Sequence, residues 1–303
     1  MRDGARIFWL TSGNPEGIPV LHLHGGPGSG TSGGFARRQD PNTYLGISFD
    51  QRGCGRSTPL ATEPGALRHN NTPQLIADIE ELREHLGIER WIVAGGSWGA
   101  TLALLYAQAH PARVLGLVVV AVPFTTAREV EWLTEGMGRF FPEEWERFAQ
   151  AVERRDGERI VDAYARVLGS GTSAERLQAA RSWCRWEDVH VSLVDGFVPR
   201  LSVSTDSHQL VFATLVTHYW SHSGFGGEGI LPGMARVQHL PGVIVHGRRD
   251  ISLPLESAWL LHRAWPGSVL HVVEEGHGGP RMTELMEAAI AEIGATHLPD
   301  QGG

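Results

Sequence analysis

The feature that most limits what this chain can fold into is Gly95-Gly96-Ser97-Trp98-Gly99, set between an apolar run, Trp91 to Ala94, and a helix-like run, Ala100 to Ala109. A serine flanked by glycines where a strand passes into a helix implies a turn so tight that a β-carbon on either side has no room. Such a turn lifts the serine hydroxyl off the end of a sheet, the arrangement of the G-x-S-x-G nucleophile elbow. The surrounding elements should then be strands and helices in alternation.

They follow that order. Val20 to His24 and Gly46 to Asp50 read as short buried strands that end at Gly25-Gly26-Pro27-Gly28 and Gln51-Arg52-Gly53. From Thr72, apolar residues at Leu75, Ile76, Ile79, Leu82 and Leu86 have amphipathic helical spacing, stopped by Gly87. Leu115 to Val122 is a strand without polar alternation, and strand-like runs return at Gly242 to His246 and Val269 to Val273 around a helical stretch, Leu255 to Trp265. Continuously apolar strands alternating with helices indicate a mostly parallel sheet covered on both faces. From Phe124 to about Ala235 the sequence turns to charged helical stretches with no buried-strand run. The expected architecture is an α/β-hydrolase core, residues 1–123 and 236–303, with an inserted helical cap, 124–235.

A serine hydroxyl is a weak nucleophile until a base takes its proton, and an acid must hold that base in the right tautomer. In this fold the partners follow in the order Ser, Asp/Glu, His. Asp250, just after the Gly242 strand, and His277, just after the Val269 strand, are the candidates. The developing oxyanion needs backbone donors, which the sequence can supply from the N–H of Trp98, after the serine, and from Gly26, with Gly25 beside it in the same loop. A phosphate-binding reading of that loop fails, because neither Gly-Lys-Ser/Thr nor G-x-G-x-x-G spacing is present. An epoxide hydrolase or dehalogenase would carry aspartate at position 97, and a non-catalytic binding protein would be expected to have lost one of the three residues.

Composition narrows the partners. With 26 basic and 34 acidic residues among 303, the formal charge is -8 and no Lys/Arg run could track a phosphate backbone, so nucleic acid is not an expected partner. The longest strongly apolar run, Leu115 to Phe124, is about half of the roughly 20 residues that span a bilayer. The first twenty residues offer only Ile7 to Leu10 as an apolar stretch, which leads to a cytoplasmic expectation. The two cysteines, Cys54 and Cys184, lie far apart without metal-site spacing. Neither a metal nor an organic cofactor is expected, and oligomeric state is left open.

Several motifs together resemble the prolyl aminopeptidases, also called proline iminopeptidases. They are Gly13-Asn14-Pro15, Gly25-Gly26-Pro27-Gly28, Asp50-Gln51-Arg52-Gly53-Cys54-Gly55-Arg56-Ser57, the Ser97 elbow with Thr101-Leu102-Ala103-Leu104, and Val245-His246-Gly247-Arg248-Arg249-Asp250. Within the cap, Glu135-Gly136 with Arg139-Phe140-Phe141-Pro142, Trp183-Cys184-Arg185-Trp186-Glu187 and His218-Tyr219 extend the match. The resemblance implies a metal-independent serine peptidase that removes an N-terminal proline, with Glu187 matching a family glutamate that binds the substrate amine. Trp183 and Trp186, three residues apart, fit a cap core as well as a substrate wall, and Trp186 is carried forward as a candidate pocket residue.

Three places depart from the family pattern. Val216 stands where the family has a second glutamate, Val120 where it has arginine, and Leu133 where it has tyrosine. Losing a carboxylate and a guanidinium together suggests a pocket rebuilt for something less charged. Two substrates are therefore carried forward. One is an N-terminal proline or small residue on a short peptide. The other is a neutral amide, ester or lactone, of the kind met in specialised metabolism.

Overall fold

The computed structural model describes residues 1–31, 34, 36–191 and 201–297. Its sheet has seven strands, β1 (Trp9–Gly13), β2 (Ile18–Leu23), β3 (Tyr44–Phe49), β4 (Trp91–Gly96), β5 (Val114–Val120), β6 (Gly242–Gly247) and β7 (Ser268–Val273), in the spatial order β1-β3-β2-β4-β5-β6-β7. Only the edge strand β1 is antiparallel to its neighbour. The remaining pairs are parallel, which places the loops after β2, β4, β6 and β7 on the same end of the sheet.

Apolar residues run without interruption along these strands because both faces are covered. Ile92, Ala94, Val118, Val243 and Val245 pack under helix α10 (Pro280–Ala295) through Met282, Met286, Ile290 and Ile293. The alternate residues Trp91, Val93, Leu117, Val119 and Ile244 lie in a second cluster with α1 (Thr72–His85) and α2 (Trp98–Ala109). Each fully buried aliphatic side chain contributes about 1.5–3 kcal/mol over an exposed one, so a one-residue slip of any central strand would be strongly disfavoured. Helix α1 starts where Asn71 accepts a hydrogen bond from the Gln74 N–H, and Gly87, with φ of 68°, follows its end.

Between β5 and β6 the described chain forms α3 (Ala127–Thr134), α4 (Pro142–Gln150), α5 (Ile160–Ser170), α6 (Ser173–Val191), α7 (Asp206–Ser221) and the single turn α8 (Ile230–Gly233). Helix α9 (Glu256–Ala264) then separates β6 from β7. The helical layer has an aromatic centre: Phe148 stacks on Tyr164 at 4.7 Å and on Trp186 at 5.2 Å, and meets the edge of Trp183 at 5.5 Å. Helix α3 opens with a capping box, Thr126 and Glu129, and the same Glu129 accepts from Ser257 on α9, tying the helical layer to the sheet layer. No described helix is long and apolar enough to cross a membrane.

Candidate active site

The turn between β4 and α2 is as crowded as its glycines imply. A β-carbon on Gly95 would stand 2.2 Å from the Gly99 carbonyl oxygen, and one on Gly99 would stand 2.1 Å from that of Leu23. Ser97 itself has φ of 53°, a left-handed conformation that disfavours a residue carrying a β-carbon by about 1–3 kcal/mol. Neighbours hold it there: the Ser97 N–H donates to the Val120 carbonyl at 2.9 Å, and the Ser97 carbonyl accepts from Ala100 at 2.8 Å.

β2 is the neighbour of β4, with Leu23 paired to Gly95, so the glycine loop after β2 arrives beside the serine. A β-carbon on Gly25 would lie 3.4 Å from that of Ser97. Gly26 has φ of 107°, and a β-carbon there would meet the Gly28 nitrogen at 2.5 Å. The loop is fixed by two residues that the sequence reading did not single out. His24 Nε2 accepts from the Gln51 N–H at 2.9 Å, so the ring proton sits on Nδ1 and is donated to the Gly25 carbonyl, also at 2.9 Å. Burial pushes His24 down to about 4 and keeps the ring neutral. The Gln51 side chain donates to the His24 carbonyl at 2.8 Å and accepts from the Trp98 indole at 2.8 Å. Gln51 thereby links the Gly25-Gly26 loop to the residue after Ser97. Cys54 packs against the same ring, and burial pushes its thiol well above the usual range, which makes it a poor nucleophile.

β6 pairs with β7 up to Gly247 and Val273, which brings the two following loops together. His277 Nδ1 donates to Asp250 Oδ2 at 2.9 Å, and Asp250 Oδ1 accepts from the Leu253 N–H at 3.0 Å. Burial disfavours the charged form of both, but each is opposite the other's charge, so the aspartate is held below its ordinary value and the histidine above it. Ser97 and His277 line one cavity of about 1320 Å³, with the buried Asp250 behind.

Helix α6 supplies another side of that cavity. Glu187 lines it, its Oε1 accepting from the Trp183 indole at 3.0 Å. Burial raises Glu187 to about 7, against the opposing pull of Trp183 and of the His277 charge. Among the described residues, the one ionisable nitrogen within 4 Å of this carboxylate is His190 Nε2, at 3.6 Å. Gly25, Val120 and Leu133 also line the cavity. Trp186 and Val216, expected as pocket residues, stand behind the wall and not on it. The Trp186 indole donates to the Leu133 carbonyl at 2.9 Å while its ring stacks in the aromatic centre, and Val216 is wholly buried in α7. Their bulk is taken up by the packing of the helical layer, which spacing along the chain does not reveal.

A parallel sheet with a strained serine turn at its centre, followed by an acid after β6 and a histidine after β7, defines an α/β hydrolase, and a model of the alpha/beta hydrolase fold matches residues 18–279. The crystal structure of a proline iminopeptidase from Mycobacterium smegmatis superposes with a TM-score of 0.68 at 19% identity, covering 97% of each chain. An esterase from Exiguobacterium antarcticum shares the fold with a TM-score of 0.59 at 22% identity and 96% coverage of each. Among sequences, the chain is 40% identical to a proline iminopeptidase of Neisseria gonorrhoeae, over 95% of this chain and 92% of that one. It is 41% identical to one from Arabidopsis thaliana, over 95% and 76%, and 44% identical to a probable one from Streptomyces coelicolor, over 91% and 87%. The chain belongs to the proline iminopeptidase family and is a hydrolase of the serine type.

Proposed function

We propose that this enzyme removes the N-terminal residue, proline or another small residue, from short peptides through an acyl-enzyme on Ser97. Its framework is a core of residues 1–123 and 236–303 under a cap of residues 124–235. His277 takes the Ser97 proton as Oγ adds to the carbonyl carbon, and the N–H groups of Gly26 and Trp98 receive the oxyanion. Asp250 keeps His277 in the tautomer that can accept this proton. The C–N bond then breaks, His277 passes its proton to the leaving amine, and the Ser97 ester remains. Water, deprotonated by His277, hydrolyses that ester and releases the amino acid.

One observation carries the choice of substrate: Glu187 is a largely buried carboxylate in the cavity of Ser97, and its side chain pairs with no Lys or Arg among the described residues. A buried carboxylate is costly unless a cation joins it, and a free N-terminal amine is such a cation. The aliphatic Val120 and Leu133 on the same wall favour the second reading, a neutral amide, ester or lactone.

The test compares L-proline p-nitroanilide with its N-acetyl derivative and with a simple p-nitrophenyl ester, after fluorophosphonate labelling has established that Ser97 is reactive. The aminopeptidase reading requires that acetylation abolish turnover. Undiminished hydrolysis of the acetylated substrate gives the choice to the neutral reading, and failure to label Ser97 refutes the acyl-enzyme itself.

A further inference from the structure

Glu187 and His190 stand one helical turn apart on α6, and both line the cavity that holds Ser97. Ser252, in the loop just beyond Asp250, decides what His190 presents there. Its hydroxyl donates its only proton to the His190 carbonyl at 2.9 Å. The 2.8 Å contact between the same oxygen and His190 Nδ1 therefore requires the ring proton to be on Nδ1. Burial pushes His190 down to about 3, so the ring is neutral and its other nitrogen carries a lone pair. That nitrogen, Nε2, is the atom 3.6 Å from Glu187 Oε2. The other carboxylate oxygen, Oε1, already accepts from Trp183. Once Glu187 is ionised, two acceptors that line the cavity face one another, too far apart for a direct hydrogen bond and with no protein donor bonded to either among the described residues. An ammonium that enters between them would give each acceptor a charge-assisted hydrogen bond.

We propose that His190 Nε2 and Glu187 Oε2 together bind the ammonium of the substrate, with His190 as a second amine-recognition residue whose tautomer Ser252 fixes. The inference rests on the amine-dependent reading above and extends it. Two acceptors 3.6 Å apart can each lie about 2.8 Å from one tetrahedral nitrogen with the N–H bonds bent by roughly 15°, inside the range of good hydrogen bonds. The carboxylate neutralises the cation, and the imidazole satisfies a second N–H without adding a second negative charge. Ser252 is a positioning residue: it acts only by holding the ring in the accepting tautomer.

Two variants test this with L-proline p-nitroanilide as substrate and the rate of fluorophosphonate labelling as an amine-independent measure of Ser97. His190→Phe removes the acceptor and fills its space. It is expected to raise KM about ten- to a hundredfold, the loss of one hydrogen bond to a charged group, with kcat and labelling rate unchanged. Ser252→Ala leaves the ring but releases its tautomer, and is expected to raise KM by a smaller factor, while Ser252→Thr restores it. An unchanged KM in both alanine and phenylalanine variants, or an equal fall in labelling rate and turnover, overturns the proposal. Should His190→Phe fail to fold, Ser252→Ala against Ser252→Thr decides alone. A parent enzyme that hydrolyses the des-amino analogue, cyclopentanecarboxylic p-nitroanilide, as well as the proline compound refutes the amine-dependent reading, and this inference with it. A parent that demands the amine while KM ignores His190 refutes only the inference.

Discussion

Glu187→Gln should make the protein more stable and less active, and the size of the first effect follows from the burial of one carboxylate. The Glu187 side chain is 12% exposed, and its proton is held up to about 7 against an ordinary value of 4.5. Below 4.5 the group is protonated whether the chain is folded or not, and it costs nothing. As pH rises from 4.5 to 7 the unfolded chain loses this proton while the folded one keeps it, so stability falls across that window. Above 7 the penalty is complete, about 3 kcal/mol at about 1.4 kcal/mol per pH unit. Glutamine carries no charge and escapes it. Its carbonyl can still accept from the Trp183 indole, and its amide needs to move only a few tenths of an ångström across the 3.6 Å gap to donate to His190 Nε2, so no new orphan is left. Thermal melts of parent and variant at pH 4.5 and pH 8 provide the assay. Coincident curves are expected at pH 4.5 and a gain on the order of 5 °C at pH 8, together with a loss in kcat/KM on proline p-nitroanilide on the order of a hundredfold or more. A variant that melts at or below the parent at pH 8, or that gains equally at both pH values, would refute the assignment of Glu187 as a carboxylate buried at the expense of stability.

Three further outcomes are expected. Ser97→Ala should retain the parent melting curve and lose turnover, and residual activity above about one part in a thousand would point to another nucleophile. Asp250→Asn should lower kcat about ten-thousandfold and move the acid limb of the pH profile to lower pH, because Asp250, more than Glu187, raises His277; an unmoved limb would contradict that coupling. In the parent, Glu187, raised to about 7, and His277, raised above its ordinary value, must both lose a proton before an ammonium substrate can react. On acidification log kcat/KM should therefore fall with a slope approaching two, and Glu187→Gln should return it to one.

What could be read from the sequence divides along physical lines. The Ser97 turn was legible because steric crowding admits only glycine at Gly95 and Gly99, and the strands were legible because burial on two faces leaves nothing polar in them. Asp250 and His277 were legible by order alone, since parallel strands deliver successive loops to one end of the sheet. Helix α10 was passed over although Met282, Met286, Ile290 and Ile293 repeat at helical spacing. The substrate wall was harder. Trp186 has the side chain of a pocket residue but is drawn into the stack with Phe148, and nothing local in the sequence distinguishes the two fates. His190 was missed for a different reason: the proton on its ring is set by Ser252, 62 residues further along the chain. A tautomer fixed over that separation leaves no mark in either segment.

The turn of α6 from Glu187 to His190 lies in the helical insertion, whereas Ser97, Asp250 and His277 all belong to loops of the sheet. In the reading proposed above, the groups that cleave the bond and the pair that holds the amine thus come from separate stretches of polypeptide. A library that randomises positions 187 to 190 and leaves the sheet loops untouched would sample new selectivities on an unaltered reaction centre. Selection acting on this lineage has the same short route open to it, a handful of codons in one helix, toward acyl groups that carry no amine at all.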